Sequence, residues 1–407
     1  MTASKEEFKR VKRHKQEHPS GWEPGVQWNP DKGGTLTVIA DSEPDSSIWL
    51  NLIEDWELDP TKVSVVPGSV QVRAWDANMG DGVVQRFKYY RATLKPFDSP
   101  EADARADIDE LIKLVDKRKP AKATLSLPGD RSFVAFLADW QLGNGEAGGS
   151  EQIAQQILDG LDRTITKAKQ LRKVGRGANT AYLLGLGDIV EGCKGWYEMQ
   201  TYSVDLNNRE QDRLARHLLL QWVDAFVDEQ FEVVAVGCAG NHGEQRDGSG
   251  KAYTSFDDNR DVQVFEILAE IMAQNPARYG NVSVPLEATD QYDLTVTLDI
   301  SGVPLSIAHG HQFGNGQGST INKIENWLKG QALGRQAVAD CEILVSGHFH
   351  HFLASEATGR QVFQAPASDA GSAWFTSRTG KGAFHGVLSM NVGASTSNRG
   401  WSDLDVL

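Results

Sequence analysis

Apolar and polar positions along the chain fall into two rhythms. SSIWLNLIEDWEL (46 to 58) places apolar side chains at helical spacing. VSVVPGSVQVRAW and VVQRFKYYRATL then alternate apolar and polar residues around the turn signal NMGDG. This predicts a small α+β module. EADARADIDELIKLVDKRKPAKA is helical in period, stops at Pro120 and leads through Leu127-Pro-Gly-Asp130 into a new regime, so 98 to 130 reads as a linker. From there apolar runs alternate with amphipathic stretches. SFVAFLAD precedes a helix at 150 to 173, TAYLLGLGD one at about 208 to 228, and FEVVAVGCAGNH one at about 259 to 274. That is the alternation of an α/β domain. VSVPLEA, YDLTVTLDI, VPLSIAHG, EILVSGHFHH and GRQVFQAPA read mainly as strands of a second sheet. The expected organisation is residues 1–128, a basic arm with an α+β module and linker helix, and residues 129–407, the α/β domain.

Composition narrows the class. The chain has 407 residues, 24% of them charged, and no apolar stretch of membrane length. MTASKEEFKRVKRHK has no apolar leader, so a cytoplasmic protein without membrane contact is expected. Cys193, Cys238 and Cys341 lie far apart, without any C-x-x-C pair, and read as reduced thiols. The formal net charge of -14 disfavours a broadly nucleic-acid-binding surface while leaving room for a local basic track. Three clusters could form one: Lys5, Lys9, Arg10, Lys12, Arg13 and Lys15 in the arm; Arg73, Arg86, Lys88, Arg91 and Lys95 on the module's strands; and Lys113, Lys117, Arg118, Lys119 and Lys122 near the linker.

The chemistry sits where the apolar runs stop. They end in Asp139 and Gln141, in Asp188, in Asn241 and His242, in His309 and His311, and in His348, His350 and His351, nearly every group beside glycine. Donors at the carboxyl ends of strands can meet in one crevice. Taken singly, each motif is equally a capped turn or a loop histidine. A helical packing pattern does not explain why donors recur at every strand end. Carboxylate, amide and imidazole without thiolate suit Mn, Fe, Zn or Mg, and the donors exceed the needs of one ion.

In order, DWQ, GDIVEG, GNHGE, AHGH and GHFH resemble the motifs of the calcineurin-like metallophosphoesterases, with separations of 49, 53, 68 and 39 residues between Asp139, Asp188, Asn241, His309 and His348. The resemblance covers about residues 131 to 370. It implies a four-layer sandwich of two mixed β-sheets flanked by helices. It also implies two divalent ions, Mn2+ first with Mg2+, Zn2+ or Fe as alternatives. Asp188 would bridge them; Asp139, Gln141 and His350 would complete one site and Asn241, His309 and His348 the other. His242 would contact the phosphate and protonate the departing oxygen, while a water made acidic by the ions attacks phosphorus in line. Gln141 departs from the family's imidazole: an amide oxygen is a weaker, harder donor, which implies looser binding and a preference for Mn2+.

The arrangement looks similar to the DNA-repair exonuclease branch, with a phage-encoded origin and a host-cytoplasmic location as an extension of that reading. A DNA nuclease is therefore expected. A phosphatase or cyclic-nucleotide phosphodiesterase on a small molecule is the alternative, and a non-catalytic binding module with a degraded metal site the second. Glu244, His311 and His351 read as supporting residues. Lys194 and Arg209, with Arg213, Trp196, Tyr197 and Tyr202 in the same insertion, could touch phosphate or stack on bases. APASDAGSAWF and RTGKGAFHG could form the far wall. Self-association or a partner protein stays open.

Overall fold

The computed structural model describes residues 18–407 except 20, 31–32, 43, 45, 60–62, 67–68, 79–83, 97–99, 147, 197–199, 248–249, 290–291, 315–317, 369–384 and 398. The basic arm, the NMGDG turn from Met79 on, Tyr197, and most of the far-wall stretch therefore lie outside the described residues. The chain divides into compact units at 1–106 and 107–407.

The smaller unit is one antiparallel sheet. Its strands β1 (Gly25–Asn29), β2 (Gly33–Ile39), β3 (Val63–Val65), β4 (Gln71–Asn78) and β5 (Val84–Pro96) run in the order β1-β2-β5-β3, with β4 also paired to β5. Helix Ser46–Asp55 buries Trp49 and Ile53 in the same core as Leu36, Val38, Tyr90, Ala92 and Leu94. The basic residues on these strands are largely engaged within the unit. Arg86 forms a two-pronged pair with Asp76 at 2.7 and 3.0 Å. Arg91 donates to Thr37 Oγ1 at 3.0 Å and lies over the Trp22 ring, and Lys88 reaches the Asp41 carbonyl.

Two sheets build the larger unit. The first comprises β6 (Ser132–Leu137), β7 (Thr180–Gly185), β8 (Glu232–Gly237) and the short β9 (Val282–Ser283), running parallel. The second holds β10 (Thr295–Ile300), β11 (Val303–Ala308), β12 (Ile343–Ser346), β13 (Leu353–Ala357) and β14 (Arg360–Gln364), in the order β10-β11-β12-β14-β13. The last strands, β15 (Leu388–Val392) and β16 (Trp401–Val406), return to the first sheet, where β15 pairs antiparallel with β6. VSVPLEA, read from sequence as a strand of the second sheet, pairs instead over two residues with β8 in the first. Pro285 stands two residues beyond it, and a short 3-10 turn replaces further ladder.

The layering explains why SFVAFL carries almost no polar alternation. Phe133, Ala135 and Leu137 point into a core shared with helices Gly149–Lys173, Asn208–Asp228 and Arg260–Met272. Val134 and Phe136 point the other way, into a core shared with Leu305, Ile307, Ile343 and Val345 of the second sheet. A strand covered on both faces must be apolar throughout. Burying Phe136 alone contributes about 1.5–3 kcal/mol. Helix Thr320–Gly334 covers the outer face of the second sheet through Ile324 and Leu328 against Leu344 and Val362. The result is helices, sheet, sheet, helix: a mixed α/β fold of four layers.

Helix Pro100–Asp116 crosses the boundary between the units. Its later turns place Leu111 and Val115 in the core of the larger unit, and buried Asp107 pairs with Arg213 and Arg216 of helix Asn208–Asp228. Beyond it, Arg118 pairs with Asp224 at 2.9 Å and the Leu125 N–H donates to the Gln230 carbonyl. Residues 107–130 are thus tied into the larger unit.

Candidate metal centre

Strand ends that reach the same edge of two facing sheets bring their following loops together. β6, β7 and β8 deliver Asp139, Asp188 and Asn241; β11 and β12 deliver His309, His348 and His350. Eleven non-glycine residues among those described have positive φ, and five of them are Asp139, Gln141, Asp188, His348 and His350, at φ 48, 44, 51, 70 and 55°. A left-handed side-chain-bearing residue costs about 1–3 kcal/mol and persists where its surroundings impose it. Such concentration at one spot marks a site whose donors are aimed at the expense of backbone comfort. Asn241 is absent from that group, so the GNHGE turn does not rest on a left-handed asparagine.

The tighter part centres on fully buried His309. Its Nδ1 lies 2.8 Å from the Leu186 carbonyl, which can only accept, so Nδ1 carries a proton. Nε2 then faces Asp188 Oδ2 at 2.9 Å, Asn241 Oδ1 at 3.0 Å and His348 Nδ1 at 3.2 Å. Ligand atoms of Asp188, His309 and His348 all lie within 4.8 Å of one another. A proton on Nε2 joins these acceptors when His309 is charged; with His309 neutral their lone pairs converge on one point, and the donor set fits a divalent metal there.

Asp139 organises the looser part. His350 Nε2 is 3.4 Å from Asp139 Oδ1, and the carboxylate accepts from the His348 N–H at 3.1 and 3.0 Å. Gln141 is buried and its N–H donates to the Asp188 carbonyl at 2.9 Å, which brings the DWQ loop beside the GDIVEG loop. Glycine is required at two of these contacts: a Cβ on Gly240 would lie 2.2 Å from the Asp188 nitrogen, and one on Gly347 would lie 2.6 Å from Asp139 Oδ2.

His242 stands beside the cluster. Its N–H donates to Asp188 Oδ1 at 2.8 Å, its Nδ1 lies 2.8 Å from the Glu191 carbonyl and 3.3 Å from Glu191 Oε2, and its Nε2 is 4.0 Å from Asp188 Oδ2. The ring stacks on Trp196 at 5.4 Å and 16°. Trp196 in turn donates from Nε1 to the Asn241 carbonyl at 2.8 Å, and the Arg246 guanidinium lies over its ring at 3.6 Å. Arg246 pairs with Glu244, and Glu244 Oε1 is 3.9 Å from His311 Nε2. Burial favours neutral His242, but the Asp188 charge and the Glu191 contacts outweigh it and raise its pKa to about 10. Burial likewise opposes the charge on His309, which Asp188 holds up to about 9. Burial raises the Asp188 carboxyl, yet His309 and His242 outweigh this and hold it well below the usual carboxylate range. Burial and the His309 charge push His311 down to about 3 and His348 to about 4.

Other sequence candidates take up different positions. His351 is exposed and its Nδ1 meets the Phe349 carbonyl at 2.7 Å. Lys194 is exposed, Arg209 is half-buried in the first turn of helix Asn208–Asp228, and Arg213 is engaged by Asp107 and Glu110. Tyr202 is 81% exposed. The three cysteines are free, two of them buried. No helix among the described residues is long and apolar enough to cross a membrane.

Several residues around the site escaped the sequence reading. Asp261 is fully buried and its two oxygens accept from the N–H groups of Asp188, Ile189, Val190 and Gly240 at 2.9 to 3.3 Å. Burial and the neighbouring Asp188 push its pKa up to about 6. Asn259 donates to the Gly240 carbonyl at 2.8 Å, and Gln211 spans Gly192 through both its amide atoms. DDNRD at a helix start signals only capping, so nothing local identified these roles.

No family model and no curated protein matches the chain. Solved structures do. Vps29 from Entamoeba histolytica, in complex with zinc, is 12% identical over 65% of this chain and 87% of its own, with a TM-score of 0.31. An archaeal phosphodiesterase is 12% identical over 68% of this chain and 99% of its own, at 0.29. A predicted phosphoesterase from Streptococcus pneumoniae is 10% identical over 64% and 83%, at 0.24. The likeness is one of chain path alone.

Proposed function

We propose that the larger unit hydrolyses phosphodiester bonds with two divalent cations, and that its substrate is DNA. The observation that carries this reading is the convergence of Asp188, Asn241, His309 and His348 on one point while five of the candidate ligands hold left-handed backbone. Asn241, His309 and His348 would hold one ion, Asp139, Gln141 and His350 the other, with Asp188 shared. When bound, the ions supply Lewis acidity at a phosphoryl oxygen and lower the pKa of water. His242 has its Nδ1 fixed on the Glu191 carbonyl, which leaves Nε2 to donate a proton to the departing oxygen. Trp196 and Glu191 fix the plane of that ring and screen one face of it from water.

A small-molecule phosphodiester is the second reading. It is favoured by the engagement of Arg213, Arg246 and Arg86 with carboxylates, which removes them from a track for a polyanion. Mn2+-loaded protein is to be assayed on linear double-stranded DNA, single-stranded DNA, bis-p-nitrophenyl phosphate and p-nitrophenyl phosphate. Cleavage of DNA and of the model diester is expected. Turnover of the diester without DNA selects the second reading, and turnover of the monoester alone overturns the diesterase readings in favour of a small-molecule phosphatase. Failure to bind metal at any Mn2+ concentration, with His242→Ala indistinguishable from wild type, would favour a non-catalytic binding module.

A further inference from the structure

We infer that Asp261 is the positioning residue of the shared carboxylate, acting through the backbone of Asp188 rather than by touching an ion; this rests on the metal reading proposed above. The helix that begins at Arg260 runs behind the first sheet, and its first turn reaches the ends of β7 and β8 together. Asp261 Oδ2 accepts from the Asp188 N–H at 2.9 Å and the Gly240 N–H at 3.0 Å. Oδ1 accepts from Ile189 at 2.9 Å and Val190 at 3.3 Å. Asn259 closes the same device: its Oδ1 accepts from the Asp261 N–H at 2.9 Å and its Nδ2 donates to the Gly240 carbonyl at 2.8 Å.

Left-handed Asp188 turns three consecutive N–H groups, its own and those of Ile189 and Val190, toward one fully buried carboxylate, where donors need acceptors. The clamp therefore holds Asp188 at its φ of 51° and fixes the gap between the loop that carries Asp188 and the one that carries Asn241. An amide in the same place keeps the shape but presents an NH2 to N–H donors, losing acceptors without opening a cavity. Supporting groups of this kind typically change metal affinity about 10–100-fold.

Mn2+ binding to the full chain is measured by calorimetry for wild type, Asp261→Asn and Asn259→Ala, beside turnover of bis-p-nitrophenyl phosphate at rising Mn2+. Asp261→Asn is expected to weaken Mn2+ binding about tenfold or more and to raise the Mn2+ needed for half-maximal turnover in proportion, with a smaller fall in kcat at saturating Mn2+. Asn259→Ala should move both in the same direction by less. Wild-type Mn2+ affinity in Asp261→Asn, whatever its melting temperature, overturns the inference. If that variant does not fold, wild-type affinity in Asn259→Ala overturns it instead. A wild-type protein that takes up no Mn2+ sinks the metal reading itself, a result distinct from equal binding by wild type and variant.

Discussion

The two halves of the candidate site are built differently. Around His309, donors that follow β7, β8 and β12 meet within 3.2 Å of one buried nitrogen, and the N–H groups of Asp188, Ile189, Val190 and Gly240 are claimed by Asp261. Around Asp139, the nearest imidazole stands at 3.4 Å, His350 is 32% exposed, and the third candidate donor is an amide. The first half is set before any ion arrives; the second has room to adjust. Preorganisation lowers the cost of binding, so the His309 half should fill first and the Asp139 half should decide which metal, and how much of it, the protein needs.

Breaking the element common to both halves should have the largest effect. Asp188→Asn is expected to lower Mn2+-dependent turnover of the model diester by about three orders of magnitude and to strip metal from both halves, as measured by elemental analysis. Near-normal turnover with full metal content would show that the halves do not share it. His309→Ala attacks the tight half alone: turnover should fall about 100-fold and bound metal by half. An unchanged stoichiometry there would refute the order of filling.

Trp196→Ala removes no candidate ligand; it takes away the ring stacked on His242 and the N–H that meets the Asn241 carbonyl. Its loss, about tenfold, should appear with alkyl leaving groups and largely vanish with p-nitrophenyl esters, which depart without a proton. An equal loss on both substrates would mean that Trp196 merely supports the loop. The smallest change sharpens the contrast instead. Gln141→His supplies an imidazole to the looser half and should tighten one Zn2+ equivalent about tenfold without altering the other. Superimposable titrations of variant and wild type would remove Gln141 from the ligand set.

Sequence made the candidate donors readable because each follows a buried strand, and a strand covered on both faces announces its end when a polar residue and glycine appear. Asp139, Asp188, Asn241, His309 and His348 all stand at such ends. What surrounds them was hidden for a physical reason. Asp261 lies in a helix start, where an acidic residue is ordinary, and its work is done on backbone 72 residues away. Trp196 reads as a base-stacking candidate, yet its ring is already engaged by His242 and Arg246. The return of β15 and β16 to the first sheet was also out of reach, because pairing with β6 leaves no trace in local periodicity.

That return strand has a consequence for how the protein is made. β6 emerges from the ribosome with one edge bare, and its partner β15 follows some 250 residues later. Until then a largely apolar edge is open to any other strand, a state that favours chaperone capture and intermolecular pairing. His348 and His350 are synthesised before that edge is closed, so the crevice they share with Asp139 becomes rigid only once β15 has followed.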